Sequence, residues 1–401
     1  MSEVMPCQLE ARRVWVDWLR VFAFLLVVLC HCCDPFTFNP NAAPSPEEGF
    51  WGAIWQCSSR ACVPLFACMT GILLLPAKER LFVCWRKRIG RVLWPFLIWS
   101  AIYCCFPVVY IGLLGNEPGS VYNWFVSAQE PSGELCDALG DVAGVLLNFS
   151  SYCVHMWYVY LIIGLYLFLP ILSAWVEKAT SLEKYAVLGL WGVTLFFPYT
   201  DLAGMQLFGV CAWNGFGMLY YFAGFSGYLL LGHVAAQWKP MGGAKALCIA
   251  LPLLVMGYLV TLAGFRVIQT GTFEYAPGWV EMIGLALSPQ SASAPYAPEH
   301  EIFLLFCSPH VALMVLGALI LFRQVDGAPV RVRSLLANFT ACGFGIYLVH
   351  YFFVGPCCML MRRLAVPMQL VIPASALAAL LITWAAVALM RRLVPGRWFL
   401  G

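Results

Sequence analysis

Arg20 and His31 are the first residues whose type and spacing suggest chemistry, because both lie inside the apolar run 14–33. About twenty apolar-dominated residues cross a bilayer as one helix. A charged residue deep in such a helix costs roughly 2.5–3.5 kcal/mol on insertion scales and usually faces a cavity or a partner. Eleven positions separate Arg20 from His31, a rise of roughly 16 Å and a rotation of about 1100°, close to three turns. Both side chains are therefore expected on one face, a cation low in the membrane and an imidazole higher on the same crevice wall. Imidazole changes charge near neutral pH, which suits proton abstraction from a hydroxyl or amine. Asp17, three residues before Arg20, is expected to pair with it; Asp34, three after His31, is in reach to orient the ring.

Three further constellations stand out. Arg88 and Arg91, before Trp94-Pro95, share a helix face, and their planar forks suit the phosphate oxygens of a cytoplasmic donor such as a coenzyme A ester. His155 and Tyr158 are three apart at the start of an aromatic segment, as are Tyr347 and His350 in a late apolar run. These four are candidates for substrate contact at the crevice, set against the ordinary roles of interfacial aromatics and buried histidines. The cluster Cys30-His31-Cys32-Cys33 is not read as a metal site, since consecutive helical residues point about 100° apart. Most of the 18 cysteines lie in apolar runs and count as small hydrophobes, with Cys57, Cys62, Cys136, Cys153 and Cys211 near outer segments. There is no nucleophile elbow, Walker loop, zinc-protease pair or dinucleotide fingerprint.

These residues need helices in a membrane to position them. The chain is 62% hydrophobic and 11% charged, where soluble proteins average roughly 45–50% and about 25%. An all-α polytopic membrane protein follows, with about ten transmembrane helices around a central crevice and membrane lipids as its surroundings. The expected spans are 14–33, 52–75, 89–114, 154–175, 183–199, 215–236, 245–266, 301–322, 338–360 and 367–390. Lysine and arginine mark alternate connections: Arg12 and Arg13, the segment Lys78 to Arg91, Lys178 with Lys184, Lys239 with Lys245, Arg323 to Arg333, and Arg391 to Arg397. That asymmetry places both termini in the cytoplasm. Arg362 and Arg363 break the pattern. The segments 115–152 and 268–300 are the long outer loops, no separate soluble domain is evident, and 1–401 is expected to form one transmembrane domain. Nucleic acid is not expected as a partner.

Together the motifs resemble the acyltransferase-3 family of integral membrane acyltransferases. Arg20, ten residues, then His31 looks like that family's first-span motif, and Cys62-Val-Pro64-Leu-Phe-Ala-Cys-Met-Thr-Gly71 is similar to its second span, with Thr70 replacing the usual serine. Arg88-x-x-Arg91 followed by Trp94-Pro95 resembles its basic motif, and Phe344-Gly-Ile-Tyr347-Leu-Val-His350 its late segment. The run from Trp157 to Pro170 looks most like the stand-alone branch that modifies enterobacterial common antigen and related surface glycans.

The resemblance implies ten helices and transfer of an acyl group, first of all acetyl, from cytoplasmic acyl-CoA to an envelope acceptor. The acceptor would be a glycan, a lipid-linked sugar or a small molecule, and the setting the bacterial inner membrane. By that analogy His31 is the catalytic residue, Arg20, Arg88 and Arg91 serve the donor, and no metal is used. The rival class is a transporter or flippase that binds an anionic solute without chemistry.

Overall fold

The structure is a computed structural model that describes residues 14–39, 43–115, 120–121, 124–125, 131–200, 204–205, 207–275, 278–394 and 397–401. Arg12 and Arg13, expected to flank the first span, lie outside the described residues. Among those residues there are sixteen α-helices. They are α1 (Val14–Thr37), α2 (Pro46–Ser59), α3 (Cys62–Leu74), α4 (Leu81–Leu114), α5 (Leu135–Gly144), α6 (Trp157–Lys178), α7 (Ser181–Thr194), α8 (Ser226–Ala235), α9 (Gly243–Gln269), α10 (Thr272–Tyr275), α11 (Trp279–Ala286), α12 (Pro309–Phe322), α13 (Val330–Val349), α14 (Tyr351–Arg363), α15 (Met368–Leu393) and α16 (Arg397–Leu400). Tight 3₁₀ turns at Ser151–Met156 and Pro298–Leu304 lead into α6 and α12.

Eight of the helical stretches are long and apolar enough to cross a membrane, and the second of them joins α2 and α3 across Arg60 and Ala61. The expected spans 183–199 and 215–236 hold α7 and α8, which have 14 and 10 residues. Each is shorter than the roughly 20 residues of a straight crossing. The expected span 338–360 is divided at His350 between α13 and α14. The basic segment before the third span is helical as well, since α4 begins at Leu81 and carries Arg88 and Arg91 within its first turns.

Local chemistry sets several of these boundaries. Ser45 caps α2: its hydroxyl accepts from the Glu48 amide, the Glu48 carboxylate accepts from the Ser45 amide, and Pro46 follows at the first turn. Ser308 caps α12 by accepting from the Val311 amide, with Pro309 at the first turn. Arg362, the exception to the loop-charge pattern, is held by an ion pair to Glu48 and lies 5.2 Å over the Phe36 ring. It ties the end of α14 to the end of α1 and the start of α2.

The first helix is the centre of the bundle. Its apolar window is 67% buried inside the protein and that of the α2–α3 stretch 72%, against 28% for α4 and for α9, which turn most of their surface outward. It packs against α2, α3, α12, α13, α14 and α15. Leu19, Ala23, Val28, Cys32 and Cys33 have no exposed surface. Each described cysteine is a free thiol, so the cysteines of this core act as small apolar side chains.

A second close crossing joins α3 to α8. A Cβ on Gly71 would lie 1.9 Å from the Leu229 carbonyl oxygen, and one on Gly232 would lie 2.0 Å from that of Cys68. Backbones meet this closely only where both helices present glycine. Gly71→Ala is therefore expected to lower the thermal midpoint of the detergent-solubilised protein, by the ~1–3 kcal/mol or more of an overpacked core. Gly90→Ala, with nothing within 4 Å of the added Cβ, is the control and is expected to hold the wild-type midpoint.

Candidate active site

The site is built around the polar residues of α1. Near the start of that helix, Arg20 Nη1 lies 3.2 Å from Asp17 Oδ1, and Thr340 of α13 donates to the same oxygen at 3.0 Å. The pairing expected from their spacing is present, and α13 completes it. One turn from the other end, His31 Nδ1 lies 2.9 Å from Asp34 Oδ2. A carboxylate only accepts, so this contact places the ring proton on Nδ1 and leaves Nε2 as the nitrogen that can meet a substrate.

Three histidines from distant parts of the chain meet here. The His31 ring centroid is 5.4 Å from that of His350 and 6.3 Å from that of His155, and the latter two are 5.1 Å apart. His155 stands in the 3₁₀ turn before α6, two residues ahead of the helix start at Trp157. His350 sits at the junction of α13 and α14, and its Nδ1 donates to the Tyr347 carbonyl at 2.7 Å. The Tyr347 hydroxyl donates in turn to the His155 carbonyl at 2.6 Å, locking the turn to α13. Tyr351 and Tyr103 complete the cluster, 4.8 and 5.1 Å from the His155 ring. Neither ring nitrogen of His155, nor Nε2 of His350, has a partner of good hydrogen-bond geometry among the described residues. Among the described residues no three His, Cys, Asp or Glu side chains are placed to hold a metal ion.

Two cavities reach His31. The first, about 440 Å³, is lined by Arg20, His31, Arg88, Arg91, His155, Tyr158 and Tyr347 among others. Seven of the eight residues singled out in the sequence therefore share one cavity wall; His350 stands behind it, in ring contact with His31. Tyr158 packs against Tyr347 at 5.7 Å. Thr70 also lines this cavity, with its hydroxyl returned to the Phe66 carbonyl at 2.9 Å.

The second cavity, about 550 Å³, is lined by Cys30, Asp34, Gln56, Arg60, Tyr296 and Glu301 among others, and shares only Val27, His31, Val63 and Trp157 with the first. Of its polar residues Asp34 was singled out in the sequence, while Gln56, Arg60, Tyr296 and Glu301 were missed. A charged residue inside the apolar run 52–75 was the available signal for Arg60. No local pattern marks Tyr296 and Glu301, which arrive from the end of the long outer segment and bond to each other.

Charge separates the two cavities. The first gathers three arginines, and the Asp17 and Glu79 carboxylates that pair with them stand outside its lining. Arg88 Nη2 lies 3.3 Å from Glu79 Oε1, which also receives the Lys87 ammonium at 2.9 Å. The Lys87 contact, with Arg88 beside it, holds the Glu79 carboxyl below the usual carboxylate range. Among the described residues, Arg88 Nε is buried without a hydrogen-bond partner.

A helical membrane protein with a histidine–carboxylate pair between two cavities, one of them rich in arginine, is the class defined by this fold. The family model described as an acyltransferase domain matches residues 13–391. The chain belongs to the acyltransferase-3 family, and it is an integral membrane acyltransferase that acts on groups other than aminoacyl groups. No curated protein and no solved structure matches it.

Glu79 occupies one face of Arg88, so an anion arriving there must compete with it. Glu79→Gln is expected to tighten binding of a phosphate-bearing anion at Arg88 about 2–5-fold, the ~0.5–1 kcal/mol of a partly exposed ion pair. Equilibrium binding of labelled coenzyme A to the purified protein checks this.

Proposed function

We propose that the chain moves an acyl group, first of all acetyl, from cytoplasmic acyl-CoA to a hydroxyl of an envelope glycan, lipid-linked sugar or small molecule. The observation that carries this reading is His31 on the shared wall of two cavities of unlike charge, with its Nδ1 committed to Asp34. The donor fits the first cavity, where Arg88 and Arg91 at its mouth suit the phosphates and Arg20 adds positive charge. The pantetheine arm then runs along α1 toward His31, half a bilayer away at roughly 16 Å. Arginine at the mouth supports a cytoplasmic donor end, and with it cytoplasmic termini.

His31 Nε2 takes the acceptor's hydroxyl proton, and the freed oxygen attacks the thioester carbonyl carbon. The carbon–sulfur bond breaks, and the thiolate leaving group recovers the proton from the imidazolium. Asp34 holds the ring in the tautomer this needs and stabilises its charged form. His155 offers a ring N–H beside the reacting carbon, suited to the developing oxyanion, while Tyr158 and Tyr347 shape the wall that guides the thioester. Access to His31 from both cavities favours direct transfer over an acyl-histidine, because donor and acceptor meet at one ring. The segment from Trp157 to Pro170 favours the stand-alone branch that modifies surface glycans.

The test is thiol release from acetyl-CoA by purified protein. His31→Ala is expected to lower it by about 10²–10⁴-fold while coenzyme A still binds, and Asp34→Asn to lower it less. Arg88→Ala is expected to weaken coenzyme A binding roughly tenfold, as loss of a charge-assisted contact of ~1.5 kcal/mol does. Equal turnover in all variants would remove His31 from catalysis. Solute flux in liposomes without thioester turnover would favour the transporter.

A further inference from the structure

The second cavity contains an observation that donor binding does not use. Gln56, on α2, is fully buried, yet both its amide nitrogen and its amide oxygen lack a hydrogen-bond partner among the described residues. Leaving a buried polar group unmet costs about 1–3 kcal/mol, and Gln56 is among the residues that line the cavity. Arg60 follows four residues later on the same face. Its Nε and Nη2 donate to the Leu304 carbonyl at 2.8 and 2.5 Å, and its guanidinium lies 4.1 Å over the Phe306 ring. Arg60 is thereby a fixed part of the wall. Phe306 stacks in turn on Trp157 at 5.6 Å with the rings 19° apart, which gives the chamber a flat apolar side.

The charges facing this cavity are Arg60 against Asp34 and Glu301, with no excess of cation. A neutral ligand suits it better than a phosphate or carboxylate. A carboxamide presents one donor and one acceptor side by side, and its complement is a pair of neighbouring hydroxyls, one donating and one accepting.

We propose that the second cavity is the acceptor chamber, and that Gln56 holds a neutral acceptor by two adjacent hydroxyls so that one hydroxyl meets His31. Gln56 sets specificity by this means: a single alcohol leaves half the carboxamide unmet, and an acidic acceptor meets Asp34 and Glu301. The proposal rests on the acyl-transfer reading for the role of His31, but binding in the chamber is measurable without turnover.

Saturation-transfer NMR on protein in nanodiscs, with methyl β-D-glucopyranoside, methyl β-D-glucuronoside and cyclohexanol as probes, tests it. Wild type is expected to bind the neutral glucoside at least tenfold more tightly than the other two. Gln56→Leu is expected to weaken the glucoside about tenfold while coenzyme A binding is retained, which also reports that the variant is folded. Gln56→Glu, which keeps size and acceptor oxygens, is expected to lie between. Undiminished glucoside binding in Gln56→Leu would overturn the proposal. So would preference for the glucuronoside, or no probe binding to a protein that still releases thiol from acetyl-CoA. Gln56-dependent glucoside binding without coenzyme A binding would sustain the chamber and overturn the donor assignment alone.

Discussion

A helix that carries Asp17, Arg20, His31 and Asp34 in an otherwise apolar sequence cannot face lipid, and the bundle is arranged so that it does not. Each polar group on α1 is matched close at hand, Arg20 and Thr340 on Asp17, and Asp34 on His31. Unpaired charges in hydrocarbon are costly, so these contacts and the burial of α1 are two sides of one constraint. Six helices pack around α1, and the cavities open where that packing leaves room beside its polar residues.

The chemistry follows from the same arrangement. A proton acceptor needs one ring nitrogen fixed and the other reachable. The carboxylate one turn along α1 fixes Nδ1, and the cavities reach the ring from either side. Three arginines give one cavity an excess of positive charge, while the other balances a single arginine against two carboxylates. A charged thioester donor and a neutral hydroxyl acceptor fit those two environments without crossing paths until they meet at His31. The rings of His155 and His350 stand at that meeting point.

Much of this was legible in the sequence because its signals are local. The 11-residue spacing of Arg20 and His31, and the three-residue steps Asp17–Arg20, His31–Asp34 and Arg88–Arg91, are set by helix geometry alone. The apolar content and the motifs that resemble the acyltransferase-3 family pointed to the fold class and the reaction. Helix limits were less legible. The break at His350 and the short α7 and α8 lie in runs as apolar as the spans, where hydropathy does not separate a crossing helix from a buried one.

By itself, then, the sequence determined that the chain is a helical membrane protein and which face of its first helix carries chemistry, since both depend on spacing along one helix. Tertiary structure decided which histidines meet. His31, His155 and His350 are separated by 124 and 195 residues, and no local rule relates their faces. It also decided that His31 has two cavities and that Gln56 and Arg60 face one of them. Those facts depend on how α1, α2, α6, α13 and α14 cross, and crossing is fixed by close contacts such as Gly52 against Phe36 and Tyr347 against the His155 carbonyl. Such contacts join residues of separate elements, and their energy exists only once the helices have packed.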